Sequence, residues 1–199
     1  TLCINNMNLQ IINIDLAGQF RTHIQISIIT GLICATPYVV WEFWRFIKPA
    51  LKPRERKHAN GAVLVISILF LTGVVFCYFI IAPLTINFLG TYEVSSEVKN
   101  QIALSSYIKI LTSVSFATGI SFELPVFVYF LTKIGILSPK FLAKNRKYAI
   151  IILLVLAAII TPPDAFSQLM VFIPLYGLYE ISIVISKHVA RKRLKKSGV

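Results

Sequence analysis

Residues 43–57 read FWRFIKPALKPRERK. The stretch joins two long apolar runs and carries Arg45, Lys48, Lys52, Arg54, Arg56 and Lys57, with a single carboxylate, Glu55, held between two arginines. Basic residues close to the end of an apolar span resist translocation, so a loop of this composition belongs on the cytoplasmic side of a membrane. That placement orients every other segment of the chain.

The composition agrees with a membrane setting. Of the 199 residues 56% are hydrophobic and 14% charged, against about 25% charged in ordinary soluble domains. The chain reads as an all-α integral membrane protein with no separate soluble core. A net charge of +12 raises the question of nucleic acid, but the cations cluster at the ends of apolar runs, as in loops that face anionic lipid, so no nucleic-acid partner is expected. Cys34 and Cys77 fall inside apolar runs and read as small hydrophobes, Cys3 lies in a polar extension, and no Cys/His set has metal-ligand spacing. The sequence has no GxxxxGK[ST], HExxH or GxSxG, and His23, His58 and His188 are scattered at span edges. Neither enzyme nor cofactor chemistry is expected.

Outward from the basic loop, apolar runs at 24–44, 62–89, 107–134, 148–160 and 166–185 read as five spans. A second basic loop holds Lys133, Lys140, Lys144, Arg146 and Lys147, and the tail, 187–199, carries six cations; the outer segments hold Arg21 and Lys99. This asymmetry puts the amino-terminal segment outside and the carboxyl terminus in the cytoplasm. A sixth span ahead of Thr1 would bring both ends inside, so five spans of an expected six are read here. The fourth run is short for a membrane and places the polar turn after it below the outer surface. Pro37, Pro83, Pro125 and Pro174 lie in four of the five runs and predict bent helices.

Three places stand out chemically. Glu123 lies ten residues before Lys133, about 15 Å from the inner end of its span at the helical rise, and a carboxylate at such depth faces an interior or a wet cavity. Thr112 and Gly119 share its side of the helix, giving a small polar stripe that suits a groove or a helix contact. Glu55 can accept a bidentate guanidinium, although on composition alone local charge balance in a solvated loop explains it better. Asp164, in Thr161-Pro162-Pro163-Asp164, is placed to cap the following helix through the amides of Phe166 and Ser167, with Gln168 just inside it.

Three blocks, FWRFIKPALKPRERK (43–57), FELPVFVYFLTKIGILSPKFLAKNRKYAI (122–150) and ITPPDAFSQLMVFIPLYGLYEISI (160–183), closely resemble the TatC family, the multispan receptor subunit of the twin-arginine protein translocase. The resemblance implies bent helices in a glove-like concave bundle, whose second to sixth spans correspond to the five runs here. It implies recognition of twin-arginine signal peptides on folded cargo, export driven by the proton gradient, and residence in the bacterial inner membrane. Phe46, Pro49, Glu55 and Arg56 match the family's loop motif, Glu55 in the role of the arginine-binding carboxylate; Pro53, Arg54 and Lys57 depart from it. Glu123 matches the carboxylate of the concave face. Thr161 and Gln168, with Asp164 between them, fall where the single-span partners TatA or TatB dock, and self-association is implied as well. The alternative is a proton-coupled solute transporter with Glu123 as relay, which calls for an internal repeat that the sequence does not show.

Overall fold

In lipid a backbone satisfies its polar groups only within helices or closed barrels, and the computed structural model is helical along each of the five apolar runs. It describes residues 11–47, 59–92, 101–161 and 164–196. A short strand β1 (Ile11–Ile12) precedes the long helix α1 (Gly18–Ile47). Helix α2 (Ala59–Phe76) passes through a π-helical turn (Cys77–Ile81) into α3 (Ala82–Thr91). Strand β2 (Ile102–Ala103) leads to α4 (Leu104–Ser121), α5 (Leu124–Ile134), the one-turn α6 (Pro139–Lys144), α7 (Arg146–Ile160) and α8 (Ala165–Lys196).

The prolines act in two ways. Pro37 and Pro174 are accommodated inside continuous helices. Pro83 cannot donate to the carbonyl of Phe79, and the turn just before it widens, the Ala82 amide reaching back to Cys77 O. Pro125 stands at the start of α5, after the helix has stopped at Ser121. The run 107–134 is therefore two helices with a break at Phe122 and Glu123, just ahead of Pro125, the proline expected to interrupt this run, which has no amide to donate to Ser121 O. Gly135, at φ 96°, ends α5 in the left-handed conformation that glycine adopts without strain.

The short strands add a feature the helical reading lacked. Ile11 pairs with Ile102 and Ile12 with Ala103 in a parallel bridge, so the segment before α1 is tied to the segment before α4. Helix α5 packs along α8, α4 against α1 and α2, and α7 against α8. Cys77, Ile81, Val114, Leu153, Ala157, Val171 and Leu175 form the main core, and Val128, Leu142 and Ile183 a smaller one that seats α6.

The burial pattern departs from that of a water-soluble fold: hydroxyls share the interior with the apolar core, and large apolar side chains cover the outside. Thr85, Ser115, Thr118, Glu123, Ser167, Ser182 and Ser186 are buried, while Phe79, Ile159 and Val184 are exposed. Apolar side chains outside and hydroxyls between helices suit a lipid solvent. Gly18–Glu42, Val63–Thr91, Leu104–Ile134 and Ala165–Lys192 are long and apolar enough to cross a membrane. The 15 residues of α7 reach only about 22 Å at the helical rise, short of a hydrocarbon core of about 30 Å.

Candidate functional site

Glu123 occupies the break between α4 and α5. Its amide reaches Ile120 O at 3.0 Å, and its carbonyl accepts from the amides of Val126 and Phe127, so the backbone is anchored on both sides. The residue is only 8% exposed. The resemblance implied a carboxylate open to a concave face; here it is enclosed, and Oε1 has no hydrogen-bond partner among the described residues. A buried oxygen without a partner is costly in a packed interior.

Two glycines set the wall beside it. A methyl on Gly73 of α2 would lie 2.8 Å from Cγ and 2.9 Å from Cβ of Phe122, and 3.0 Å from Gly119 Cα of α4. One on Gly119 would meet Phe70 and Val74. Only residues without a side chain allow α2 and α4 to approach this closely. Phe122 then rests on Phe76 at 5.5 Å between ring centroids, which fixes the break where Glu123 sits.

The polar stripe predicted around Glu123 is a packing seam and not an open groove. Thr112 accepts a hydrogen bond from Gln25 Nε2 of α1 at 2.9 Å, and Gly119 abuts α2. In lipid, each interhelical polar contact of this kind adds about 0.6 kcal/mol. The stripe holds α4 to its neighbours.

The turn between α7 and α8 is built by its side chains. Asp164 Oδ1 accepts the Ser167 amide at 2.7 Å, while Oδ2 is buried without a partner among the described residues. Thr161 is buried and donates to Ala157 O; Gln168 Nε2 donates to Leu154 O at 3.0 Å and ties α8 to α7. Phe166 stacks on Phe88 of α3 at 3.9 Å. The three residues expected to dock partners thus form one capped and cross-linked turn, with Pro162 and Pro163 outside the described residues.

At the opposite end of the helices, Phe46 lies in the last turn of α1. Pro49, Glu55 and Arg56 fall outside the described residues. An interaction that the sequence reading missed holds the second basic loop. Arg146 makes two contacts to Glu180, Nε to Oε1 and Nη2 to Oε2, each 2.9 Å, and Tyr176 donates to Oε1 at 3.0 Å. Tyr179 donates to Leu142 O of α6 at 2.8 Å. The signal was an acid alone in an otherwise apolar run, which requires a cation from elsewhere. Among the described residues no group of His, Cys, Asp and Glu has the arrangement to hold a metal ion.

With this geometry established, comparison with known proteins gives one consistent result. A family model described as Sec-independent protein translocase protein (TatC) matches residues 2–174. The chain is 46% identical to the TatC protein of Blattabacterium sp. subsp. Periplaneta americana over 94% of this chain and 70% of that one. It is 40% identical to TatCy of Bacillus subtilis over 92% of this chain and 72% of that protein. A crystal structure described as the twin arginine translocase receptor TatC superposes with a TM-score of 0.81 at 36% identity, covering 91% of this chain and 79% of that one.

Proposed function

Because the chain belongs to the TatC family of Sec-independent protein translocase proteins, we propose that it is the receptor that takes twin-arginine signal peptides on folded cargo. It is a multipass membrane protein and a subunit of the twin-arginine translocase, working with the other subunits of that machinery. The observation that carries the receptor reading is the similarity, at a TM-score of 0.81, to a solved twin arginine translocase receptor.

In this reading the peptide's arginines enter at the basic end of α1. Glu55 pairs with a guanidinium, while Phe46, Pro49 and Arg56 shape the loop. Arginine suits such recognition because its planar fork meets a carboxylate through two parallel bonds, which lysine cannot do. The apolar part of the signal peptide then lies against the helices. Glu123, enclosed at the α4–α5 break, is the interior carboxylate that responds to this occupancy.

The capped turn bearing Thr161, Asp164 and Gln168 serves as the docking point for the single-span partners TatA, with or without TatB, and copies of the receptor associate with one another. The short α7 thins the bilayer beside this turn, which gives a partner helix access to polar side chains. The basic loops fix the orientation, with the carboxyl terminus in the cytoplasm of a bacterial inner membrane. No step forms or breaks a covalent bond, and the energy comes from the proton gradient.

The test is complementation. The full-length gene, expressed in a strain deleted for its own TatC, should restore export of a folded reporter bearing a twin-arginine signal, and should fail when both arginines are lysine. Export that is equal for the two signals would end the receptor reading.

A further inference from the structure

Helix α6 is a small platform with two sides. Leu142 seats it: the side chain is buried against Val128 and Ile183, and the carbonyl accepts the Tyr179 hydroxyl of α8 at 2.8 Å. Ser138 caps the start, its hydroxyl accepting the Phe141 amide at 3.1 Å, and the Asn145 amide closes the end on the carbonyls of Phe141 and Leu142. At about 100° per residue, Lys140 and Lys144 both fall on the side away from Leu142, one turn apart.

Both lysines are exposed, and neither has a hydrogen-bond or ion-pair partner among the described residues. Like charges four apart on a helix repel, so the anchored helix holds two ammonium groups together against their own repulsion. Glu180, the carboxylate that meets this loop, is already engaged through both oxygens by Arg146. An anion between the two lysines relieves the repulsion.

Apolar surface accompanies the charge. Ile136 is 69% exposed, Phe141 and Tyr148 each 56%, and the Lys147 ammonium lies 5.1 Å from the Tyr148 ring centroid. The loop starts where the span Leu104–Ile134 ends, which puts it at the membrane surface. Free phosphate satisfies the ammonium pair but leaves these side chains in water. A phospholipid answers both features, its phosphate between the cations and its acyl chains against the apolar side chains. A zwitterionic headgroup brings a cation of its own, so charge complementarity selects an anionic one.

We propose that Lys140 and Lys144 are the phosphate-binding pair of a site for one anionic phospholipid, whose acyl chains lie against Phe141 and Ile136. The bound lipid clamps α6 and, through Leu142 and Tyr179, steadies α8. The rule that orients basic loops counts charges, and any two cations serve it equally; this site sets the α6 pair apart from other cations. It does not depend on the signal-peptide reading.

The experiment uses the purified full-length protein in a non-ionic detergent, titrated with dioleoylphosphatidylglycerol, dioleoylphosphatidylcholine or inorganic phosphate. Native mass spectrometry counts the lipid retained, and thermal unfolding follows the stabilisation that binding confers. Phosphatidylglycerol should bind saturably and raise the thermal midpoint, whereas the other two should leave it unchanged. Lys140→Gln and Lys144→Gln should each weaken that binding about fivefold, and the double variant about 25-fold, as expected for cations at a lipid surface. Without lipid the variants should melt no earlier than wild type, because the pair repels, and Lys140→Arg with Lys144→Arg should keep the affinity. Arg191→Gln with Lys192→Gln, which removes the same charge from exposed positions on α8, should bind lipid like wild type. An equal loss in that control reflects bulk charge and overturns the site. Equal binding of phosphatidylcholine, stabilisation by inorganic phosphate alone, or wild-type affinity in the Lys140→Gln, Lys144→Gln double variant overturns it too.

Discussion

Replacing Gly73 with alanine adds one methyl group and tests the wall on which Glu123 depends. That methyl would sit 2.8 Å from Phe122 Cγ and 3.0 Å from the backbone of Gly119. The Phe122 ring can turn aside, but Gly119 Cα can yield only if α4 moves as a body. Overpacking of this kind costs about 1 to 3 kcal/mol, a drop of about 5- to 150-fold in the ratio of folded to unfolded protein at about 1.4 kcal/mol per factor of ten. For a chain of 199 residues the thermal midpoint should fall by about 2 to 12 °C.

Three other glycines serve as internal controls. A methyl at Gly31, Gly61 or Gly177 meets nothing within 4 Å, so alanine there should be neutral or stabilising by up to about 1 kcal/mol through helix propensity. Gly119→Ala should be intermediate, because its neighbours are the Phe70 ring and the Val74 methyl, both side chains that can shift. The assay is thermal unfolding of the purified full-length protein in detergent, read by loss of the monodisperse peak in size exclusion. If Gly73→Ala melts with the three controls, α2 and α4 do not cross at these glycines and the account of the Phe122–Glu123 break is wrong.

Three further variants probe the other contacts. Glu123→Ala should insert and fold, since it removes a buried oxygen that has no partner among the described residues, yet export of a twin-arginine reporter should fall well below wild type; undiminished export would take Glu123 out of the site. A double-mutant cycle on Arg146→Gln and Glu180→Gln should return a coupling of about 0.5 to 1 kcal/mol, kept small because the two side chains are 46% and 34% exposed; zero coupling in thermal unfolding would mean the paired contact does not hold the second basic loop to α8. Asp164→Ala should cost about 1 kcal/mol by removing the N-cap of α8, with Asp164→Asn recovering most of it; equal melting of wild type and the alanine variant would show that the cap carries no weight.

The helices were legible because a hydrophobic run of about 20 residues has few folding options in a bilayer. The N-cap at Asp164 was legible as well, since capping depends on side chains only a few residues apart, and Ser167 does donate to it. What the sequence concealed depends on partners far apart in the chain. Arg146 and Glu180 are 34 residues apart and Gln25 and Thr112 are 87 apart; no local pattern announces either pair. The β1–β2 bridge joins residues 91 positions apart, such as Ile11 and Ile102, through backbone atoms alone. The interruption at Phe122 and Glu123 was legible from Pro125, which cannot donate to the carbonyl one turn back, but that Phe122 turns there onto Phe76 was not.

The difference in legibility has a physical origin in the solvent. In water an apolar stripe marks the face of a helix that packs, but in lipid the outward face is as apolar as the inward one, so that mark is lost. The packing faces here are identified by what is small or polar: Gly73 against Gly119, Thr132 bonded to Ser186 at 2.9 Å, Gln25 reaching Thr112. A carboxylate stands out in such a chain and a glycine does not, although the two glycines decide where that carboxylate is held. Glu123 was visible because of its chemistry, and its enclosure follows from side chains that are absent.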